Sequence, residues 1–123
     1  MFNVLEALRK LPESRLVYTG TAAVYGEGTN LREDLPMRPT TIVGATKGAA
    51  TMLMQTYSRV HGVNSVELRL FAPYGPWEHS RRLIPHVVLS ALDRQDIPIT
   101  EGIQQRDFVF IEHPSEPPFR HAS

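Results

Sequence analysis

A hydroxyl side chain just beyond a strand-like segment is the first group that could act on a ligand. Residues 15–19 (Arg-Leu-Val-Tyr-Thr) form a short run that predicts a buried strand, and Thr21 stands two positions beyond it. Open α/β sheets bind their ligands at the carboxyl ends of their strands. Thr21 is therefore a candidate ligand-binding residue, although a threonine in this place can equally serve as a turn or cap residue.

A lysine near the start of a predicted helix is the second candidate. Residues 43–61 have helical periodicity, and Gly62 is a natural C-terminal stop. Lys47 lies in the first turns of this helix, where it is either a ligand contact or an ordinary solvated lysine. The apolar face predicted by the pattern consists of Ala49, Ala50, Leu53, Met54, Tyr57 and Val60.

Four segments of the sequence share a pattern with a known protein family. They are residues 16–26 (LVYTGTAAVYG), 35–50 (LPMRPTTIVGATKGAA), 68–76 (LRLFAPYGP) and 102–112 (GIQQRDFVFIE). In this order they resemble the NAD-dependent epimerase/dehydratase family of extended short-chain dehydrogenases/reductases. The family counterparts are a Ser/Thr before A-x-V-Y-G, a helix opening Y-G-x-S-K-x-A-x-E, the strand and loop L-R-x-F-N-x-Y-G-P, and G-x-x-x-R-D-F-V-x-V-x-D. The resemblance extends from residue 3 to residue 112.

The resemblance implies NAD as cofactor, a nucleotide sugar as substrate, and a role for each matching residue. Thr21 would hydrogen-bond the reacting hydroxyl or carbonyl of the sugar, and Lys47 would bind the nicotinamide ribose. Pro73 lies on the loop that passes near the nicotinamide. Arg106 would bind the diphosphate, a role that suits a planar guanidinium, although a structural salt bridge is the alternative.

The position of the family's catalytic tyrosine is the main departure. That tyrosine precedes the lysine by four residues, about one helical turn, so both side chains project from one face. Its pKa is lowered by the lysine ammonium, which allows proton exchange near neutral pH. Val43 occupies this position before Lys47, and valine has no titratable proton. In addition, Ala72 stands where the family has a substrate-contacting asparagine.

The glycine-rich loop of the family, G-x-x-G-x-x-G, is also absent from the sequence. These departures predict a partial chain: a fragment of a nucleotide-sugar epimerase/dehydratase with impaired catalysis. The rival hypothesis is a non-catalytic oligomerisation or interaction module, or a pseudoenzyme remnant. In that case a homodimer would form through the helix that contains Lys47.

Composition narrows the class of protein further. Thirteen basic residues balance thirteen acidic ones, so we expect neither a nucleic-acid partner nor an anionic membrane surface. There is no cysteine, and the five histidines lack metal-ligand spacing, so we expect no metal site. Neither a signal peptide nor a long apolar run is evident, which favours a cytoplasmic location.

The elements that must position these residues alternate between helix and strand. Beyond those already described, the patterns predict helices at residues 2–11 and 83–92, and strands at 65–71, 97–100 and 107–111. Such alternation favours an α/β fold, here a partial Rossmann-like, mostly parallel sheet with flanking helices. We expect residues 1–113 to form one partial domain and residues 114–123 a disordered tail.

Overall fold

The computed structural model describes residues 1–111, so the predicted tail at 114–123 lies outside the described residues. The chain divides into two compact units, one comprising Met1–Leu70 and the other beginning at Phe71, of which residues 71–111 are described. The sequence patterns did not indicate this division. Each unit is described by itself below.

The first unit contains helix α1 (Phe2–Leu8), strand β1 (Arg15–Thr21), a short 3₁₀ helix (Ala22–Val24), helix α2 (Ile42–His61) and strand β2 (Asn64–Leu70). Strands β1 and β2 pair in parallel, in a register that runs from Arg15 opposite Asn64 to Thr21 opposite Leu70. Gly62 ends α2 with a φ of 68°, the left-handed conformation that glycine adopts without steric cost. The predictions for α2, β1 and β2 are thus confirmed within two residues, whereas α1 ends three residues before the predicted end at residue 11.

The core of the first unit lies between the two helices and one face of the sheet. Leu5 of α1, Met54 and Tyr57 of α2, and Val63 are buried together. Alternate residues of a strand point to the same face, and Leu16 and Tyr18 of β1 pack against this cluster. The core therefore holds the body of α2 against β1.

The predicted apolar face of α2 is wrong for most of its members. Only Met54 and Tyr57 are buried, whereas Ala49, Leu53 and Val60 are exposed. At Gly44 the helix approaches a neighbouring backbone so closely that an added Cβ would lie 2.3 Å from the carbonyl oxygen of Ala23, and hydrophobic periodicity does not detect such a contact. The residues that α2 buries are Gly44, Gly48, Thr51, Met54 and Tyr57.

The second unit contains strand β3 (Ala72–Tyr74), helix α3 (Leu83–Leu92) and strand β4 (Phe108–Phe110), with β3 and β4 paired in parallel. The prediction for α3 is confirmed, but the predicted strand at 97–100 is wrong, because those residues have no regular structure. Strand β3 was missed, since Pro73 indicated a turn. Proline is compatible here because the cross-strand hydrogen bonds use Ala72 N and Tyr74 O on either side of it.

The observed pairings confirm the predicted fold class, an α/β arrangement of parallel strands with flanking helices. In the part of the chain that the structure describes, no helix is both long and apolar enough to cross a membrane.

Candidate functional site

The start of α2 is pressed against the turn that follows Thr21. Thr41 caps the helix, its side-chain oxygen accepting a hydrogen bond of 3.0 Å from the backbone N–H of Gly44. A Cβ added at Gly44 would lie only 2.3 Å from the carbonyl oxygen of Ala23, so this position requires glycine. The close approach fixes the first turns of α2 beside the carboxyl end of β1.

Lys47 reaches that end of β1 with its ammonium group. Its Nζ donates a hydrogen bond of 2.7 Å to the carbonyl oxygen of Thr19, and it lies 4.8 Å from the centre of the Tyr18 ring. A cation over an aromatic face is attracted by the ring quadrupole. Lys47 is therefore held in place by β1, two residues before Thr21.

Thr21 does act as a cap, which was the alternative reading of this residue. Its Oγ1 accepts a hydrogen bond of 3.2 Å from the backbone N–H of Ala23, at the start of the 3₁₀ helix. A hydroxyl is both a donor and an acceptor, so this contact leaves the proton available for donation to a ligand. The capping and ligand-binding roles of Thr21 are thus compatible.

Val43 lies in the first turn of α2, one turn before Lys47, with 61% of its surface exposed. Its isopropyl group can neither donate nor accept a proton. The phenols of Tyr25 and Tyr57 are engaged elsewhere in the unit: Tyr25 binds Arg69, and Tyr57 donates a hydrogen bond of 2.6 Å to Glu6. Neither takes the place that a tyrosine would have at position 43.

The sequence analysis missed an ionic network beside this site. Arg69 and Glu67 of β2 form a salt bridge of 3.0 Å, and their side chains are 13% and 10% exposed. Arg69 also donates a hydrogen bond of 2.5 Å to the Tyr25 hydroxyl. Burial alone would lower the pKa of Arg69, but its hydrogen bonds to Tyr25 and Glu67 outweigh that effect and raise the pKa. The available signal was the Glu-Leu-Arg sequence, which puts both charges on one face of a strand.

Pro73 and Arg106 belong to the second unit. Pro73 lies in β3 opposite Val109 of β4. Arg106 is exposed in the segment before β4, and its Nη1 donates a hydrogen bond of 3.2 Å to the carbonyl oxygen of Gln105, its own neighbour. Within residues 1–111 it forms no salt bridge, so the structural ion pair considered as an alternative is not observed there.

No group of three or more His, Asp or Glu side chains among residues 1–111 could hold a metal ion. The site residues of the first unit are thus a hydroxyl, an ammonium and a neighbouring ion pair, at the carboxyl end of a parallel strand. Such a position is where α/β folds of this class bind their ligands.

Comparison with known proteins identifies the family. The model of the NAD dependent epimerase/dehydratase family matches residues 1–113, and the chain therefore belongs to this family. It is 31% identical to a dTDP-glucose 4,6-dehydratase of Neisseria meningitidis, over 90% of this chain and 35% of that protein. It is 30% identical to a UDP-glucose 4-epimerase of Corynebacterium glutamicum, over 89% and 38%.

A solved structure agrees with this assignment. The dTDP-glucose 4,6-dehydratase of Bacillus anthracis, determined in complex with NAD, superposes with a TM-score of 0.80 at 27% identity, over 89% of this chain and 36% of that one. The chain thus spans little more than a third of the length of the relatives it matches. The resemblance predicted from the four sequence segments is confirmed at the level of family and fold.

Proposed function

We propose that this chain supplies the part of a nucleotide-sugar epimerase/dehydratase site that faces the sugar and the nicotinamide ribose, and that it is catalytically impaired. The observation that carries the proposal is the arrangement around the end of β1. Lys47 is held there by Thr19, two residues before Thr21, while an aliphatic side chain occupies position 43. Binding groups are thus present without the group that exchanges protons.

In this proposal each site residue has a defined part. The Thr21 hydroxyl donates to the reacting oxygen of the sugar, and the Lys47 ammonium binds the ribose hydroxyls of NAD. Lys47 fits that role because its ammonium has three donors, of which Thr19 takes one. The backbone at Pro73 borders the nicotinamide, and Arg106 binds the diphosphate through its exposed guanidinium. NAD, when bound, supplies the hydride acceptor.

The proposed impairment follows from the chemistry at position 43. Removal of a sugar hydroxyl proton during hydride transfer needs a base placed in the site, and such a group typically accelerates a reaction about 10²–10⁴-fold. Val43 cannot supply it. A fragment of this kind is expected to bind its ligands weakly and to leave them unchanged.

The test uses the purified 123-residue chain with NAD and either dTDP-glucose or UDP-glucose. We expect no change in the absorbance of the reduced cofactor, no altered sugar by mass spectrometry or chromatography, and weak NAD binding in calorimetric titration. Turnover of either sugar nucleotide, or micromolar affinity for NAD, would contradict the proposal.

A second candidate function, an interaction module, is favoured by the exposed side of α2. Ile42 is 84%, Met52 60% and Val60 67% exposed on a helix whose opposite side is buried. Helices with an apolar outer stripe commonly associate with a partner helix. In this proposal a second copy of the chain covers the stripe. Because Met54 and Tyr57 are in the core, the contact would use the exposed residues Ala49, Met52, Leu53 and Val60.

Analytical ultracentrifugation separates the two candidates. A dimer that dissociates when Met52 is replaced by glutamate, without ligand binding, supports the interaction module. A folded monomer that binds a nucleotide sugar supports the site proposal.

The cytoplasmic location remains a prediction from the sequence.

A further inference from the structure

The carboxylate of Glu67 connects three elements around the candidate site. Its Oε1 accepts a hydrogen bond of 2.7 Å from the Thr51 hydroxyl of α2, and its Oε2 accepts one of 3.0 Å from Arg69 Nε. Thr51 is 2% exposed, and the Glu67 side chain 10%. A nearly buried carboxylate needs hydrogen-bond partners for its oxygens, because burial of an unpaired charge is very costly, and both oxygens of Glu67 have one.

Arg69 carries this connection onward to the loop that follows Thr21. Its Nη1 donates to the Tyr25 hydroxyl at 2.5 Å and to the carbonyl oxygen of Glu33 at 3.3 Å. Its guanidinium also lies 4.8 Å from the centre of the Tyr25 ring. One arginine therefore binds two points of the same loop while Glu67 holds its Nε.

Gly20 provides the space through which the Glu67 carboxylate passes over β1. A Cβ added at Gly20 would lie 2.3 Å from Glu67 Oε1 and 2.9 Å from its Cδ. Gly20 separates Thr19, which holds Lys47, from Thr21. The carboxylate thus lies against the short piece of backbone between the two candidate ligand-binding residues.

From these contacts we infer that Glu67 is a positioning residue for the site: through Thr51 and Arg69 it fixes α2 and the loop at residues 22–35 relative to the end of β1. It does not touch the ligand. It sets the relative position of the Lys47 ammonium and the Thr21 hydroxyl by holding the backbone on both sides of them. Only the consequence for ligand binding rests on the function proposed above.

The experiment compares Glu67→Gln with Glu33→Gln in the full chain. Both variants remove one negative charge, but only the backbone carbonyl of Glu33 takes part in the network, and its side chain is exposed. Amide hydrogen exchange is measured for residues 22–35 and, as an internal reference, for the core amides of residues 54–63. UDP-glucose binding is measured separately by titration.

We expect exchange in residues 22–35 to become about tenfold faster or more in Glu67→Gln, as for the loss of a charged hydrogen bond, with little change in residues 54–63. Glu33→Gln should match the unmodified chain. A uniform increase in both regions would mean that Glu67 only stabilises the unit as a whole, and would overturn the inference. So would unchanged exchange, or an equal effect of Glu33→Gln.

A second variant keeps the inference testable if Glu67→Gln does not fold. Tyr25→Phe retains the ring and removes only the hydroxyl that accepts from Arg69, so it should accelerate exchange in residues 22–35 by a smaller factor. No regional change in that variant would overturn the inference. If UDP-glucose does not bind to the unmodified chain, the proposed function fails, whereas the exchange measurement still decides the role of Glu67.

Discussion

The two units of this chain differ in how far their apolar side chains are buried. In the first unit Leu5, Val24 and Met54 are at most 3% exposed. In the second unit no residue is buried between positions 71 and 111, and even Leu92, on the apolar helix α3, is 74% exposed. Helices that are apolar on all sides are normally covered. Membership of a family therefore does not ensure that each part of a chain carries a core of its own.

This difference between the units indicates which of the candidate binding residues are held in a fixed position. Thr21 and Lys47 stand on elements that share a core and a buried ion pair. Arg106 stands on an exposed segment, and the one side-chain hydrogen bond it forms within residues 1–111 is to Gln105, its neighbour in the sequence. Binding groups that are fixed in advance lose less conformational entropy when a ligand binds. The sugar and ribose contacts proposed for Thr21 and Lys47 should therefore contribute more to affinity than the diphosphate contact proposed for Arg106.

The largest expected effect compares a buried leucine of one unit with an exposed leucine of the other. Leu5→Ala should lower the free energy of unfolding by about 2–5 kcal/mol, because the side chain is fully buried and leaves a cavity. Leu92→Ala should change it by less than about 0.5 kcal/mol. Urea denaturation followed by circular dichroism measures both values. Equal losses would contradict the contrast between the units.

Two glycines of α2 should respond in opposite directions to the same substitution. Gly44→Ala should cost about 1–3 kcal/mol, because its Cβ would lie 2.3 Å from a backbone carbonyl oxygen. Gly48→Ala should stabilise the helix by about 0.5–1 kcal/mol, since the nearest atom, Met37 Sδ, lies at an ordinary 3.6 Å. Thermal unfolding of both variants tests this. A destabilised Gly48→Ala would show that α2 is packed tightly along its whole inner side.

The pair Glu6 and Tyr57 should make the stability of the first unit depend on pH. The hydrogen bond from Tyr57 lowers the pKa of Glu6, and the same bond to Glu6 raises the pKa of Tyr57. The contribution of the pair is therefore lost as pH falls through the lowered Glu6 pKa, below the ordinary 4.5, and as pH rises through the raised Tyr57 pKa, above the ordinary 10.0.

Tyr57→Phe is the matched control, because it keeps the ring that packs against Phe2 and removes only the hydroxyl. Denaturation midpoints of the two proteins should differ most at neutral pH and converge towards both extremes. A constant difference across the whole range would show that the hydrogen bond does not couple to either titration.

The smallest expected effect concerns Arg106 in the second unit. Since its side chain is exposed and, in the described part of the chain, hydrogen-bonded only to Gln105, Arg106→Ala should change the free energy of unfolding by less than about 0.5 kcal/mol. Calorimetric titration should nevertheless show weaker binding of UDP-glucose than in the unmodified chain. A clear loss of stability would instead indicate a structural role for this guanidinium.

Element types were predicted well wherever local signals were strong. Helix α3 has the predicted bounds, and α2 begins one residue earlier than predicted and ends before Gly62. Helix α3 is a continuous apolar pattern, and α2 has a glycine stop at its C-terminal end. Strand β3 was missed because Pro73 usually ends a strand, and only its pairing with β4 shows that its absent N–H is not needed.

The residues of the candidate site were named from the sequence. The network of side chains that holds the surrounding elements together was not. Thr21 and Lys47 could be named because their surroundings in the sequence match family segments. The network of Glu67, Arg69 and Tyr25 joins residues up to 44 positions apart, and no local pattern links them. The same limit explains the wrong face of α2, where Gly44 is buried against the backbone of Ala23 and Gly48 lies beside the side chains of Met37 and Val24.

The sequence by itself determined the family, the α/β class, the order of α1, β1, α2 and β2, and the valine at position 43, because these depend on residue identity and short-range periodicity. Only the tertiary structure decided which side of α2 is buried, how Lys47 is held, that Gly20 makes room for Glu67, and that the core belongs to one unit alone. These features depend on contacts between residues that are far apart in the sequence. In a close-packed interior, a difference of a few tenths of an ångström in such a contact determines whether a side chain fits.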